Sequence, residues 1–303
     1  MAIQADVPET GVFCHKTRLV GVSSIEKKAQ QLRITPAVHR DWPVIEKMFA
    51  DAFQTDIYFY LMKRRLDLAK TYSRFSTSIA ALFAGNTYLL RMGNRPAGFI
   101  MLKKNSDKLM HLHYLAIAPE FRGQGLGREL AGFALTMARE CGADIFLEAE
   151  ADSAAMTLYS SVGFSADNQF HIYSLVPPSV PPARSKKNIE LIPLEDTKGM
   201  LMRAKEWLLG YQATVLAYNS QAGKTLSFRV CRPTSGSAVI IHCNPGNSSN
   251  EVLQQALPHL ACHVNNPCGS YLVLSGIDRT QIDSPWLRDR ADYVTMSKKH
   301  GVE

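Results

Sequence analysis

The sequence has 303 residues, of which 46% are hydrophobic and 20% charged, a composition typical of globular proteins and a length sufficient for one large domain or two ordinary ones. No apolar run is long enough to cross a bilayer, and the first residues, MAIQADVPETGVFCHK, include early acidic residues and lack the apolar core of a secretory signal. We therefore expect a cytoplasmic protein that does not insert into a membrane.

The net charge of +7 at pH 7 favours an anionic ligand. The basic residues are scattered and form no tract interleaved with aromatic residues, which argues against a nucleic acid partner. The six cysteines include no Cys-x-x-Cys pair, so we interpret them as reduced thiols. The histidines and cysteines between residues 242 and 268 lack the paired spacing typical of zinc ligands, and we predict no metal site.

The first half of the chain alternates strands and helices. After residues 1–31, which we interpret as an extension, a short strand at 33–37 leads into an amphipathic helix that begins near Asp41. The elements that follow are a helical stretch at 61–83, a hairpin at 86–92 and 97–103, a long strand at 108–120, a helix after the glycines at 123–127, a strand at 144–150, a helix at 153–162 and a strand at 168–176.

The second half begins after a proline-rich segment. Residues 177–187, PPSVPPARSKK, contain four prolines and a basic run, and we predict an extended linker there. Residues 188–303 repeat the element order weakly, with strands, a helix at 249–263, a short helix near 285–290 and a last strand DYVTMSK. The predicted division is an extension at 1–31, a domain at 32–176, the linker at 177–187 and an accessory domain at 188–303.

The stretch RGQGLG, residues 122–127, connects a long strand to a helix. Glycines allow successive backbone N–H groups to point inward, and the start of a helix adds partial positive charge. We therefore predict a pyrophosphate cradle, beside which Arg122 and Arg128 add charge. A simple tight turn is the alternative interpretation, and the spacing matches neither a Walker loop nor a dinucleotide-binding turn.

The element order and two motifs together resemble the GNAT acetyltransferases. The first motif is LAIAPEFRGQGLG at 115–127, and the second combines the Leu-Glu pair at 147–148 with AMTLYSSVGF at 155–164. The resemblance covers residues 33–176. It implies an α/β (α+β) GNAT fold, with a mixed, mostly antiparallel central sheet and flanking helices, and an acetyl-CoA-dependent N-acetyltransferase activity.

The resemblance also implies where acetyl-CoA binds. The cosubstrate would enter a V between the strands at 109–118 and 144–150, and a backbone amide of the first strand would polarise the thioester carbonyl. The implied contacts come from the strand, the glycine turn and the helix that follows the second strand, at Leu115, Ala116, Ile117, Arg122, Gly123, Gln124, Gly125, Leu126, Gly127, Arg128, Asp152 and Tyr159. Asp152 stands where the family usually has asparagine.

Acetyl transfer to an amine needs a base for the ammonium and an acid for the CoA thiolate. The family places the acid at Tyr159. His111 and His113 share one strand face, and their HLHxLA context resembles the arylalkylamine N-acetyltransferases, in which such a pair relays the proton. Glu148 is the competing base, as in ribosomal-protein N-terminal acetyltransferases. The alternative roles are packing for the tyrosine and histidines, and a salt bridge at the strand end for Glu148.

The second unit is predicted to be a degenerate GNAT-like unit, because NPGNSSN at 244–250 stands where a cradle would be and Pro245 removes a donor. A lid, a wall of the acceptor pocket and a homodimer surface are the roles considered for it, and an unrelated α/β domain is the alternative. The expected acceptor is a small primary amine, with a protein amine second, in a pocket formed near residues 50–75. The competing function is a non-catalytic acyl-CoA sensor.

Overall fold

The computed structural model of the chain describes residues 32–177, 191–193, 200–220, 225–234, 236–244, 250–264, 266–276, 282 and 284–301. These residues form one mixed sheet with helices packed against it. The predicted extension at 1–31 lies outside them, as does the predicted linker apart from its first residue.

The first part of the chain contains the elements predicted from its hydrophobic periodicity. Its strands are β1 (Leu32–Pro36), β2 (Asn86–Met92), β3 (Arg95–Ser106), β4 (Leu109–Ile117), β5 (Asp144–Glu150) and β6 (Ser165–Leu175). Its helices are α1 (Trp42–Phe53), α2 (Phe59–Tyr72), α3 (Thr77–Ala84), α4 (Leu126–Glu140) and α5 (Ala154–Ser161). The predicted stretch at 61–83 is two helices rather than one, because Ser76 caps the start of α3 by accepting a hydrogen bond from the Ser78 N–H.

The second part departs further from the predicted elements. Its strands are β7 (Leu191–Pro193), β8 (Tyr211–Asn219), β9 (Thr225–Pro233), β10 (Val239–Cys243), β11 (Ser270–Ser275) and β12 (Leu287–Lys298), and its helices are α6 (Met200–Leu208) and α7 (Asn250–His263). The helix predicted at 249–263 is confirmed as α7. The short helix predicted near 285–290 is wrong, because β12 begins at Leu287 and pairs with a strand on each side.

The strand order of the sheet is β1-β2-β3-β4-β5-β12-β6-β11-β10-β9-β8-β7. Its neighbours are antiparallel except for two parallel pairs, β4 with β5 and β10 with β11. Helix α4 connects the first parallel pair and helix α7 connects the second. The predicted mixed, mostly antiparallel sheet is therefore confirmed, and the second part repeats the organisation of the first.

The two parts of the chain exchange one strand each. β12 lies between β5 and β6, and its Val294 and Met296 are buried in a core otherwise made of residues from 34 to 164. β6 lies between β12 and β11, and its Tyr173 and Leu175 are buried in the core of the second part. The predicted domain boundaries stay a prediction, but both hydrophobic cores contain side chains from across them.

Candidate active site

Strands β4 and β5 separate as they cross the sheet. Their backbone pairing ends at His111 and Phe146, although β4 continues to Ile117 and β5 to Glu150. The other edge of β4 stays paired with β3 as far as Ile117. The segment 115–117, predicted to hold pantetheine, therefore has a strand edge that no described strand occupies. In contrast, β10 and β11 remain paired from Val239–Ser270 to Cys243–Leu274.

The turn before α4 presents backbone N–H groups without partners. Gly123 and Gly125 have φ angles of 74° and 81°, a left-handed conformation that glycine adopts without steric cost. A Cβ at either position would meet no atom within 4 Å. None of the five N–H groups from Gly123 to Gly127 donates a hydrogen bond to another described residue. At the start of a helix, such groups form a site suited to an anion.

The side chains around this turn either anchor it or face solvent. Leu126 is buried in the core and fixes the start of α4. Arg122 is exposed and its Nε donates a hydrogen bond of 3.1 Å to the carbonyl oxygen of Ile117, while Arg128 and Gln124 are also exposed. Two guanidinium groups thus flank the predicted cradle at the protein surface.

Helix α5 packs close to this turn. A Cβ on Gly127 would lie 3.1 Å from Leu158, so glycine allows α4 and α5 to approach each other. Tyr159 is 6% exposed and packs edge-on against Phe164. Burial raises the pKa of Tyr159, which keeps the phenol protonated at neutral pH. Asp152 is exposed and has a φ of 57°, a conformation that asparagine and aspartate both tolerate, so the unusual aspartate preserves this backbone turn.

The rings of His111 and His113 lie together on β4, with centroids 4.1 Å apart. His111 also stacks on Phe146 at 4.2 Å. Burial, followed by the charge of Lys103, lowers the pKa of His111 to about 4. Burial, followed by the charges of His111, Lys103 and Arg65, lowers the pKa of His113 to about 2. Both imidazoles are therefore neutral at physiological pH and weak as bases.

Glu148 lies two residues beyond Phe146 on the same face of β5, opposite Thr295 of β12. Its side chain reaches solvent, but the surrounding protein removes part of its hydration. This desolvation, followed by the negative charge of Asp56, raises the pKa of Glu148. Burial also raises the pKa of Asp56. A carboxylate with a raised pKa is a stronger base than either of the two imidazoles.

The second part of the chain extends the sheet face that carries Glu148. Directly opposed residues of paired strands share a face, and the strand registers continue this face through Tyr293 and His242 to Arg229 of β9. We call it the inner face. The segment between α1 and α2 packs on it, because the Tyr58 hydroxyl and His242 Nε2 share a hydrogen bond of 3.2 Å and the two rings stack.

Sequence reasoning found only part of this arrangement. Tyr58 lies in the segment at 50–75 that was predicted to contribute to the acceptor pocket. Asp56, Tyr293 and His242 were not named as site residues. The aspartate carries no motif, and the other two reach the inner face only through the strand exchange, which no local pattern indicates.

The opened strand pair, the unbonded glycine turn and the tyrosine on the following helix together define a GNAT-type acyltransferase fold. Residues 45–164 match the model of the acetyltransferase (GNAT) family. These residues therefore form a GNAT acetyltransferase domain, as the two sequence motifs predicted.

A curated relative and two solved structures extend the comparison. The chain is 32% identical over 84 residues to mycothiol acetyltransferase of Corynebacterium efficiens, a match that covers 27% of this chain and 28% of that protein. A GCN5-related N-acetyltransferase from Sphaerobacter thermophilus has 13% identity and a TM-score of 0.56, with 90% of this chain and 97% of that chain covered. A tandem GNAT protein from the clavulanic acid biosynthesis pathway has 13% identity and a TM-score of 0.53, with 90% and 99% covered.

The described residues contain neither a metal-binding cluster nor a membrane-spanning helix. They contain no group of three or more histidine, cysteine, aspartate or glutamate side chains placed to hold a metal ion. Among the helices in the described ranges, none combines the length and the apolarity needed to span a membrane. The five cysteines that the structure describes are free thiols, and Cys14 lies outside the described residues.

Proposed function

We propose that the chain is an acetyl-CoA-dependent N-acetyltransferase that acetylates a small primary amine by direct attack in a ternary complex. The observation that carries this proposal is the opening between β4 and β5 with the unbonded N–H groups from Gly123 to Gly127 at its end. This combination offers an extended strand edge to a pantetheine arm and a helix start to a pyrophosphate.

Acetyl-CoA supplies the acetyl group as a thioester. Its pyrophosphate accepts hydrogen bonds from the glycine turn, and Arg122 and Arg128 add positive charge nearby. Its pantetheine pairs with the free edge of β4 at residues 115–117. A backbone amide of that segment donates a hydrogen bond to the thioester carbonyl oxygen and stabilises the negative charge that develops there.

The two proton transfers are assigned to Glu148 and Tyr159. The Glu148 carboxylate accepts a proton from the bound ammonium, and the neutral amine attacks the thioester carbon. The attacking nitrogen then loses a second proton to solvent, and the tetrahedral intermediate collapses to the amide as the carbon–sulfur bond breaks. The departing thiolate takes its proton from the Tyr159 hydroxyl. Solvent then returns a proton to Tyr159 and removes one from Glu148, so that the products are the acetamide and CoA thiol.

In this scheme His111 and His113 position the amine and do not transfer a proton. Neutral rings stacked on Phe146 and packed against each other form a rigid wall beside the reacting amine. The pKa values of about 4 and about 2 leave His111 and His113 unprotonated at the pH where Glu148 acts. We therefore place the base at Glu148 and assign a positioning role to the histidines.

The test is thiol release from acetyl-CoA with a panel of primary amines and peptides, combined with calorimetric binding of acetyl-CoA to the full chain. We expect micromolar to millimolar binding and amine-dependent thiol release. Binding without thiol release for any acceptor would favour the non-catalytic sensor. Absence of acetyl-CoA binding would overturn the proposal.

A further inference from the structure

Residues 54–58, which we call the connecting segment, join α1 to α2 across the inner face. Just before the segment, Phe53 packs edge-on against Tyr114 of β4, with ring centroids 4.8 Å apart. At its end, the Tyr58 hydroxyl shares a hydrogen bond of 3.2 Å with His242 Nε2 of β10. Strands β5, β12, β6 and β11 lie between these two attachments in the sheet. The connecting segment therefore passes over them.

The connecting segment begins level with Glu148. Strands β4 and β5 run parallel, and their last backbone pair is His111 with Phe146. Tyr114 and Glu148 lie three and two residues beyond this pair, so their Cα atoms stand at about the same height along the two strands. A register shift against β3 between Leu112 and Tyr114 turns Tyr114 to the face of His111. The chain thus enters the connecting segment beside the candidate base.

Arg290 of β12 anchors the middle of the connecting segment. Its Nη2 donates a hydrogen bond of 2.9 Å to the carbonyl oxygen of Thr55, and its Nη1 donates one of 3.1 Å to the Tyr271 hydroxyl. The guanidinium carbon also lies 4.4 Å from the centroid of the Tyr271 ring, a cation–π contact. One planar group with forked donors therefore joins the connecting segment to two strands of the sheet.

A β-bulge explains how Arg290 reaches the inner face. The register of β12 with β6 shifts between Asp289 and Ala291, so Arg290 is an inserted residue. Ala291 opposes Ile172 on the inner face, and strict alternation would turn Arg290 to the opposite face. A bulge can redirect a side chain, and the contact with Tyr271, which packs in the same cluster as Ile172, places Arg290 on the inner face.

Hydrogen bonds within the connecting segment make it a single turn. The Asp56 Oδ1 accepts a hydrogen bond of 2.7 Å from the Tyr58 N–H, and the Asp56 carbonyl oxygen accepts one of 3.0 Å from the Phe59 N–H. A displacement of Thr55 would therefore also move Asp56 and Tyr58. Desolvation, followed by the negative charge of Asp56, raises the pKa of Glu148, in agreement with a turn that lies over the candidate base.

We propose that Arg290 is a positioning residue for the acceptor amine, because it fixes the connecting segment on the inner face beside Glu148. This inference rests on the proposed acetyltransferase function. It gives the second part of the chain a role in that function, since β12 and β10 supply the two anchors, Arg290 and His242. The proposed acetyl-CoA contacts lie on β4 and the glycine turn, so loss of either anchor should affect the amine and spare the cosubstrate.

The kinetic test uses Arg290→Gln with the most active primary amine of the panel. Arg290 is exposed, so the fold should persist. Loss of the anchor should lower kcat/KM for the amine by about 2–10-fold, the contribution of one hydrogen bond, mainly by raising KM. The calorimetric affinity for acetyl-CoA should not change. Tyr58→Phe, which removes the hydrogen bond to His242, should have the same two effects.

The matched control is Arg288→Gln. Arg288 is also exposed and lies two residues earlier on β12, where it opposes Ser174 of β6. The substitution removes the same charge and should leave kcat/KM for the amine unchanged. If Arg288→Gln lowers kcat/KM as much as Arg290→Gln, the effect is one of overall charge and the inference is wrong.

Hydrogen exchange separates this inference from the proposed function, because it needs no substrate. The amides of residues 54–62 in the free full-length chain should exchange about 2–10-fold faster in Arg290→Gln and at unchanged rates in Arg288→Gln. Faster exchange in a chain that acetylates no amine supports the anchor, and only the proposed function fails. Unchanged exchange, or faster exchange with unchanged kcat/KM for the amine, overturns the inference while acetylation leaves the proposed function standing.

Discussion

The imidazole rings of His111 and His113 lie with centroids 4.1 Å apart on one face of β4. Two protonated imidazoles at this separation would repel each other, and Lys103 opposite His111 adds a third charge. The pair is therefore stable only in its neutral form, and this property connects the stability of the protein to the pH of its surroundings.

Acidification should destabilise the fold through these histidines. The unfolded chain binds protons at its histidines near pH 6.5, whereas the native pKa values are about 4 for His111 and about 2 for His113. The unfolded state thus binds more protons as the pH falls from about 6.5 to 4, and the free energy of unfolding should decrease by about 1.4 kcal/mol per pH unit for each histidine.

Chemical denaturation across this pH range checks that expectation. The variant His113→Gln should show a shallower pH dependence, by about 1.4 kcal/mol per pH unit, whatever its stability at neutral pH. An unchanged slope in His113→Gln would mean that the histidine takes up protons in the native state.

The assignment of the base is tested by the pH profile of kcat. Glu148 must be deprotonated to act, and desolvation and Asp56 raise its pKa, so activity should rise with pH through that raised value. Glu148→Gln should remove this acidic limb and lower kcat by about 10²–10⁴-fold. Glu150→Gln, on the same strand face two residues away, is the matched control and should retain the limb. A limb that survives Glu148→Gln but disappears in His113→Gln would assign the base to the histidine.

Tyr159 is expected to act after the amine has attacked. Tyr159→Phe removes one hydroxyl and keeps the ring that packs against Phe164, so the fold should persist. The thiolate would leave without its donor, and kcat should fall by about 10²–10⁴-fold with little change in acetyl-CoA affinity. A large loss of affinity with unchanged kcat would instead indicate a binding role.

The glycine turn is tested by adding a negative charge to it. Gly125→Glu should abolish acetyl-CoA binding in calorimetry, because the carboxylate would lie where the pyrophosphate is proposed to bind. Gly142→Glu is the matched control, since Gly142 has a φ of 63° and also has open space around it. Both variants should lose about 1–2 kcal/mol of stability from the left-handed conformation. Equal binding by the two variants would show that the glycines at 123–127 only form a turn.

The exchanged strand is tested through Met296, which is 1% exposed within the core of the first part. Met296→Ala should lower the free energy of unfolding by about 2–5 kcal/mol, and acetyl-CoA binding should be lost at the same denaturant concentration as the fold. Met202→Ala changes a methionine that is 46% exposed and should have an effect within about 0.5 kcal/mol. Separate unfolding transitions for the two parts in the Met296 variant would contradict the shared core.

The sequence predicted most of the first part because its signals are local. The glycines at 123–127, the apolar stripe of α4 and the helix tyrosine each depend on neighbours a few residues away. The position of β12 could not be predicted, because DYVTMSK alternates like any half-buried strand and its partners lie more than 100 residues earlier. The places of His242 and Arg229 on the inner face could not be predicted for the same reason, because these residues reach that face only after the sheet has formed.

The insertion of β12 between β5 and β6 also affects the order of events during synthesis. When residue 175 leaves the ribosome, the residues of β5 and β6 have been synthesised. The residues of β12, which must lie between these two strands, have not. At roughly 5–20 residues per second, that strand follows about 6–25 s later. During this interval the nascent chain has two unpaired strand edges and an incomplete core, so chaperone binding and aggregation compete with folding until translation reaches β12.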